Sequence, residues 1–145
     1  MRFLLDTNII LRLANEEDAE HALVRDALET LVATDELVLA PQCIYEFWST
    51  CTRPARVNGL GWAVARTRLE GDRLLGLFLL LPDTPQIFSY WLELVTTHQV
   101  SGKQIHDARL AAALKAHGVE NLLTLNGDDF KRYDIKVVHP REVLG

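Results

Sequence analysis

Short apolar runs alternate along the chain with longer segments in which apolar residues recur every three or four positions. Runs of this length are typical of strands buried on both faces, and the periodic segments are typical of amphipathic helices. Because helices separate most of these runs, the order predicts one three-layer α/β/α domain over residues 1–145, with a mainly parallel sheet. The five predicted strands cover residues 2–5, 37–40, a part of 77–81, 122–125 and 136–138.

The helix boundaries are predicted from capping residues, prolines and glycines. Asn15 is the expected N-cap of the second helix, and the three acidic residues after it would lie in the first turn. Pro41 and Pro85 occupy the position that proline favours at a helix start, and Gly118 is typical of a helix end. The predicted helices cover residues 8–14, 16–31, 41–53, 62–73, 85–98 and 104–117.

Composition places the chain among ordinary globular proteins. Of its 145 residues, 48% are hydrophobic and 24% are charged. The longest apolar run, residues 74–81, is far shorter than the roughly 20 residues that a membrane-spanning helix needs. The apolar run before Asp6 is also too short for a secretory signal, so we expect a cytoplasmic protein.

Cysteine content and net charge argue against a disulfide, a zinc site and a general nucleic-acid-coating protein. Cys43 and Cys51 lie eight residues apart in one predicted helix, hence roughly 12 Å apart, which is too far for a disulfide. We expect two half-buried free thiols, and the scattered histidines favour no zinc site. The net charge of −5 is unlike that of a general nucleic-acid coat, so contact with nucleic acid would need a local basic patch.

Four acidic positions fall where a parallel α/β sheet binds its ligands. Asp6 directly follows the first strand, and Asp129 follows the fourth strand after an Asn-Gly turn. Asp107 lies in the first turn of the helix 104–117, and Glu46 lies among apolar residues of the helix 41–53. Each has a purely structural alternative: a helix cap, a turn, a helix-dipole partner or an exposed helical side chain.

Taken together, these acidic side chains predict one shared site at the edge of the sheet. Carboxylates held close together repel each other unless they are protonated or neutralised by a cation. Oxygen ligands suit Mg²⁺, which typically binds one or two carboxylates together with substrate phosphate. Such an ion can activate water for attack on a phosphodiester. The pattern therefore favours metal-dependent phosphoryl hydrolysis.

Four segments carry a family resemblance: LLDTNIILRL, APQCIYEFW, IHDARLAAALKAHG and LLTLNGDDFKRY, in that order. Together they resemble the PIN-domain ribonucleases, and most closely the VapC-type toxins of bacterial toxin–antitoxin pairs. The resemblance extends over residues 3–139. It implies an endoribonuclease that uses Mg²⁺, or Mn²⁺ as a substitute. It also implies RNA as substrate, a homodimer, and a small antitoxin protein as the inhibitory partner.

The resemblance also assigns roles to particular residues. The first, second and third acids of the family match Asp6, Glu46 and Asp107, and it implies that Asp6 and Asp107 hold the metal. Glu46 would bind or orient metal and water. The family's Thr or Ser after the fourth strand matches Thr124. Supporting positions are Asn8, Thr124 and Asn126, and Asp129 is the expected fourth catalytic acid.

The chain departs from the family where many members carry a further acid. Here Asn126 and Gly127 occupy that part of the turn. Asn126 can ligate a metal or orient water but brings no charge, so a second metal ion is not expected.

A cluster of basic residues follows the helix 41–53. Near the tryptophans Trp48 and Trp62, these residues could grip RNA phosphates, although a solvated helix face would show the same pattern. The expected RNA contacts are Arg53, Arg56, Arg66 and Arg68.

Two other functions remain to be weighed. A haloacid-dehalogenase-like phosphatase also begins with a strand and an Asp, but its second Asp would fall at Asn8, which cannot act as acid and base. A non-catalytic module that binds RNA or protein on the same fold is the other alternative, since fold alone does not fix function.

Overall fold

The computed structural model describes residues 1–145 as a parallel sheet flanked by helices. The strands are β1 (Arg2–Leu5), β2 (Glu36–Leu39), β3 (Leu79–Leu80), β4 (Asn121–Leu123) and β5 (Lys136–Val138). The α-helices are α1 (Thr7–Ala14), α2 (His21–Val32), α3 (Pro41–Thr52), α4 (Val64–Leu77), α5 (Pro85–Thr97), α6 (Ile105–His117) and α7 (Pro140–Leu144). Short 3₁₀ turns cover Ala55–Val57, Gly102–Gln104 and Gly127–Phe130.

The sheet has the order β3-β2-β1-β4-β5, and every neighbouring pair is parallel. The chain builds outwards from β1 through β2 to β3, and then returns to place β4 on the other side of β1. Right-handed crossovers in the two directions put helices on both faces of the sheet. The predicted three-layer α/β/α class is therefore confirmed, and the strand order reverses between β1 and β4. That crevice is where open α/β sheets bind ligands.

The core forms around the two strands that flank this crevice. Leu4 and Leu5 of β1 and Leu122 and Leu123 of β4 are almost fully buried within one cluster of 28 residues. In α6, residues 108–114 are buried except for Arg109, and four of the buried six are alanines. Small side chains let α6 approach its neighbours closely, so its first turn is held rigidly near the crevice.

The connection between α1 and α2 differs from the prediction. Asn15 is the C-cap of α1, and α2 begins only at His21. Side-chain oxygens explain the difference, because Asn15 Oδ1 accepts from the backbone N–H of Glu17 (3.3 Å) and Asp18 Oδ1 accepts from that of Glu20 (2.8 Å). Such local bonds compete with helical ones. The segment 16–20 therefore forms turns instead of the first turn of a helix.

The second half of the chain shows smaller differences. The fourth helix begins two residues later than predicted, because the N–H of Trp62 donates to the carbonyl of Cys51 (2.8 Å) and fixes that residue outside the helix. It also continues to Leu77, which leaves only Leu79–Leu80 as strand β3. Helix α7 was not predicted. Its signal was present in the sequence, since His139, Pro140 and Glu142 form a capping box with proline at the first position.

The two cysteines are free thiols, as expected, but they are fully buried instead of half-buried. The Cys43 thiol donates to the carbonyl of Leu5 (3.3 Å), and burial raises its pKa well above the usual range. Burial also raises the pKa of Cys51 to about 12. Neither thiol is therefore ionised at neutral pH. As for membranes, no helix here has both the length and the apolar character that crossing one would require.

Candidate active site

Asp6 lies at the centre of the crevice between β1 and β4. It is the first residue after β1 and the N-cap of α1, and its Oδ1 accepts from the backbone N–H of Thr7 (2.7 Å). Its Oδ2 accepts from the hydroxyl of Thr124, directly after β4, at 2.7 Å. The Asp6 carboxylate therefore caps α1 and also lies in the candidate site.

Asn8 and Thr124 hold Asp6 in place from both strands. The Asn8 amide donates to Asp6 Oδ2 and to the Thr124 hydroxyl, both at 3.2 Å. The carbonyl oxygen of the Asn8 side chain accepts from the N–H of Leu125 (3.1 Å), and the Thr124 hydroxyl accepts from the N–H of Asn126 (3.1 Å). Asn8 and Thr124 each bind both the Asp6 carboxylate and a backbone N–H after β4, and this hydrogen-bond network fixes the orientation of the carboxylate.

Glu46 reaches the same region from α3. Its Oε1 accepts from the Thr7 hydroxyl at 2.8 Å, which ties the carboxylate to the residue next to Asp6. One turn earlier in α3, the buried Gln42 amide donates to the carbonyl of His106 (2.7 Å). This bond joins the start of α3 to the start of α6. The helices that carry Glu46 and Asp107 are thereby held together across the edge of the sheet.

Three of the predicted acids line one cavity of about 350 Å³: Glu46, Asp107 and Asp129. Lys103 and His106 lie in its wall as well. Asp107 stands in the first turn of α6, as predicted, and Asp129 lies in the 3₁₀ turn Gly127–Phe130. Asp6 is half-buried beside this cavity and interacts electrostatically with all three acids. The structure therefore brings the four predicted acids together.

Burial, assisted by neighbouring charges, changes the proton affinity of two of these acids. Burial is the main cause that raises the pKa of Asp6, and the Thr124 and Thr7 hydrogen bonds oppose it only in part. Burial also raises the pKa of Asp107 to about 6, assisted by the charges of Asp129, Asp6 and Glu46. A bound cation would favour the ionised form of both carboxylates.

The donor set fits a hard divalent cation. As the side chains stand, no three acidic, histidine or cysteine residues are close enough together to hold an ion by themselves. Mg²⁺ does not need such a cage, because one or two carboxylates and several waters are its usual protein ligands. Asp107 has no hydrogen-bonded partner among the groups that shift its pKa. Its oxygens are therefore available to an ion.

The turn after β4 separates two adjacent acids. Asp128 is exposed and pairs with Lys131 (3.0 Å), whereas Asp129 lines the acidic cavity. Asn126 is exposed and contacts the site through its backbone N–H, which donates to Thr124. Of the three positions, Asp129 is the one that adds a carboxylate to the cavity.

The four predicted RNA-contacting arginines lie outside this cavity, on the α3–α4 connection and on α4. Arg66 stacks over the ring of Trp62 with its guanidinium carbon 4.0 Å from the ring centre, and Arg68 pairs with Asp72 at 3.1 Å. Arg53 donates to the backbone carbonyl of Asn58 (3.2 Å), and Arg56 is exposed. Three of the four arginines, Arg53, Arg66 and Arg68, therefore have local partners.

Sequence reasoning missed several residues that build the site. Thr7 orients Glu46, and Lys103, Gln104 and His106 line the acidic cavity. A signal existed for each, since Thr7 adjoins Asp6 and the other three directly precede Asp107 along the chain. Lys103 was missed because residues 100–103 were interpreted only as a loop, and Gln104 and His106 were treated only as part of the helix 104–117.

A family comparison agrees with this geometry. The PIN domain model matches residues 3–136, so the chain belongs to the PIN domain family. The resemblance inferred from the four sequence segments is confirmed.

Individual relatives of the chain include VapC proteins. Ribonuclease VapC24 of Mycobacterium tuberculosis is 26% identical over 127 residues, which is 87% of each chain. A VapBC2 structure from Rickettsia felis, bound to a promoter DNA fragment, has a TM-score of 0.74 at 18% identity and covers 96% of this chain and 98% of its own. VapC20 of M. tuberculosis, a sarcin-ricin loop cleaving toxin, has a TM-score of 0.63 at 20% identity, over 89% of this chain and 93% of its own.

Proposed function

We propose that this protein is a divalent-metal-dependent endoribonuclease, the toxin of a toxin–antitoxin pair. The observation that carries the proposal is the group of four carboxylates beside the β1–β4 crevice, where burial, assisted by the neighbouring acids, raises the pKa of Asp6 and Asp107. Support also comes from the family membership and from the ribonuclease relative that aligns over 87% of the chain. Perturbed acids in a cleft are typical of functional sites.

The roles proposed for the side chains follow from their contacts. Asp6, fixed by Thr124 and Asn8, and Asp107, free of hydrogen-bonded partners, would hold Mg²⁺ or Mn²⁺. Such an ion supplies charge stabilisation at the phosphodiester and lowers the pKa of bound water. Glu46, positioned by the Thr7 hydroxyl, would accept a proton from the attacking water. Asp129 would help to orient the water or the ion.

Lys103 gives the acidic cavity a single lysine among the three acids that line it. Its ammonium group can contact a phosphate oxygen without competing with the metal for carboxylates. We further propose that the arginines 53, 56, 66 and 68 contact RNA farther from the cut bond.

The remaining expectations are also proposals. The chain would form a homodimer, and a small antitoxin protein would inhibit it; a toxin–antitoxin complex is among the structures that the fold resembles. Exposed apolar side chains at the β3 edge, Leu77, Leu79 and Leu80, offer apolar surface for protein contacts. A cytoplasmic location agrees with the two free thiols. One continuous core cluster supports a single domain over residues 1–145.

The test is cleavage of total cellular RNA by the purified protein with Mg²⁺, with Mn²⁺ and with a chelator. We expect discrete fragments that require metal and that disappear with the Asp6→Ala variant. Mapping the fragment ends would identify the RNA. An absence of cleavage with either metal, in protein shown to be free of bound inhibitor, would contradict the proposal and favour a non-catalytic binding module.

A further inference from the structure

A second cavity, also of about 350 Å³, adjoins the acidic cavity at the start of α6. His106 lines both cavities, and Asp107 is the next residue along the chain. The wall of the second cavity is mostly apolar and includes Ile87, Phe88 and Trp91 from α5. The two cavities therefore share one wall residue at the start of α6, and acidic side chains line one of them while aromatic side chains line the other.

The aromatic wall combines a fixed ring with an exposed ring. The Trp91 indole N–H donates to the carbonyl of Ile105 at 2.9 Å, so this ring is fixed relative to Asp107 two residues further on. Phe88 lies 6.0 Å from Trp91 between ring centres, and 62% of its surface is exposed. An exposed phenylalanine beside a rigid tryptophan offers a flat apolar surface on which a base can stack.

Polar groups at the rim supply hydrogen bonds of both kinds. Arg109 and Asp83 lie 3.2 Å apart at the mouth of the cavity, and both are partly exposed. The hydroxyl oxygen of Thr84, which also lines the cavity, is buried without a hydrogen-bond partner. A ligand that brings both donors and acceptors could pair with Arg109 and Asp83.

We propose that this cavity, lined by Phe88, Trp91, Asp83 and Arg109, is a subsite for one nucleobase of the RNA strand that crosses the acidic site. The inference rests on the proposed ribonuclease function and adds to it a determinant of base preference. Guanine is the base that best matches the rim. Its adjacent N–H groups can donate to the Asp83 carboxylate, and arginine is the commonest partner of its O6 and N7 atoms.

The charge of the cavity favours a base over the sugar-phosphate chain. Arg109 is paired with Asp83, so the rim carries little net positive charge for a phosphate. The phosphate belongs at the neighbouring acidic cavity, next to Lys103 and the metal-binding carboxylates. A nucleotide that spans the two cavities would therefore place its base among the aromatic residues.

The test uses a short RNA library with every position randomised, cleaved by the wild type and by two cavity variants, Phe88→Ala and Arg109→Gln. We expect the wild type to prefer guanine at one position, at a fixed distance from the cut bond. Phe88→Ala should weaken that preference and raise KM by about tenfold with little change in kcat, since it removes the surface that holds the base against Asp83 and Arg109. Arg109→Gln should relax the preference for guanine.

Leu92→Ala is the matched control, because Leu92 lies one turn further along α5, is exposed, and does not line the cavity. We expect it to match the wild type. An unchanged base preference in both cavity variants would overturn the subsite. A preference for a different base that disappears in these variants would refute the assignment to guanine. Variants that change the native mass, but not the preference, would overturn it in favour of a protein interface.

A binding experiment separates this inference from the proposed catalysis. A labelled RNA of the preferred sequence is titrated with Asp6→Asn protein, with and without Phe88→Ala, and binding is followed by fluorescence anisotropy. We expect binding to weaken by about tenfold when the aromatic ring is removed. If the wild type cleaves no RNA but binding still depends on Phe88, the proposed catalysis fails and the subsite stands. Equal binding by both proteins would overturn the subsite.

Discussion

The acidic residues at the two ends of the parallel strands differ in their surroundings: those at the amino ends are paired, and those at the carboxyl ends lie close to one another. At the edge where the strands begin, the acids have partners. Asp35 accepts from the amino group of Met1 (2.9 Å), Glu36 pairs with Arg2 (3.4 Å), and Glu120 accepts from the backbone N–H of Arg2 (2.8 Å). At the edge where the strands end, four carboxylates share one region and a single lysine lines their cavity.

The pKa directions express this difference. The hydrogen bond from the terminal amine lowers the pKa of Asp35, and the backbone N–H of Arg2 lowers the pKa of Glu120. Burial raises the pKa of Asp6 and of Asp107. Acids of the first kind favour the folded state when ionised, whereas acids of the second kind oppose it. An arrangement that costs stability is expected where function requires it.

The largest effect should come from removing one acid at each edge. We expect Asp107→Ala to lower the rate of RNA cleavage by more than about 100-fold, because it removes a proposed metal ligand. Asp35→Ala, at the other edge, should cleave at nearly the wild-type rate. Single-turnover cleavage at fixed metal concentration measures both. Equal losses in the two variants would mean that acidity in general, and not this site, supports activity.

A smaller loss is expected from Thr124→Val, which keeps the shape of the side chain and removes its hydroxyl. The bond to Asp6 Oδ2 is lost, so the carboxylate is less firmly oriented, and residues that support a metal ligand typically contribute 10- to 100-fold. We expect weaker Mg²⁺ activation with only a modest change in Tm. Thr124→Ser retains the hydroxyl and is expected to restore most of the activity. Failure of serine to do so would contradict the positioning role.

The sequence predicted most of the fold because its strands are short, apolar and buried, and such runs stand out against amphipathic helices. Strand β5 was predicted at its observed bounds, and β1 likewise, since a polar residue, His139 or Asp6, directly follows each strand. Competition between side-chain hydrogen bonds and helical hydrogen bonds was harder to predict from the sequence. Asn15 and Asp18 bind backbone N–H groups two residues ahead, and a pattern of helix-favouring residues does not reveal which partner wins.

For the site, the acids were predictable but their surroundings were not. Asp6 and Asp107 stand at positions that strand and helix ends make conspicuous. Thr7 and Gln42 act through single hydrogen bonds across the fold, and such bonds depend on how the helices pack. The aromatic cavity depends on packing in the same way, because Trp91 of α5 lines it beside Ile105 of α6 and donates to its carbonyl.

In the absence of metal, the ionised Asp107 carboxylate should lower the stability of the folded protein. The folded-state pKa of Asp107, about 6, lies above its ordinary value of 3.8, so the protein loses stability as pH rises between these values. We expect Asp107→Asn, which is always neutral, to melt a few degrees higher than the wild type at pH 7 with chelator present. At a pH near 4 the two Tm values should converge. Adding Mg²⁺ should raise the Tm of the wild type only. A lower Tm for Asp107→Asn at pH 7 would refute this cost.

The smallest effect, and one of opposite sign, is expected for Asp35→Asn at the other edge. Here the folded-state pKa is lowered, so the carboxylate stabilises the fold above its ordinary pKa and this contribution is lost as pH falls through the folded value. The variant should therefore melt slightly lower than the wild type at neutral pH, with the difference shrinking in acid and in high salt. Thermal melts of Asp35→Asn and Asp107→Asn in the same buffers give the comparison directly. If both substitutions shift Tm in the same direction at pH 7, the distinction between paired and crowded acids is wrong.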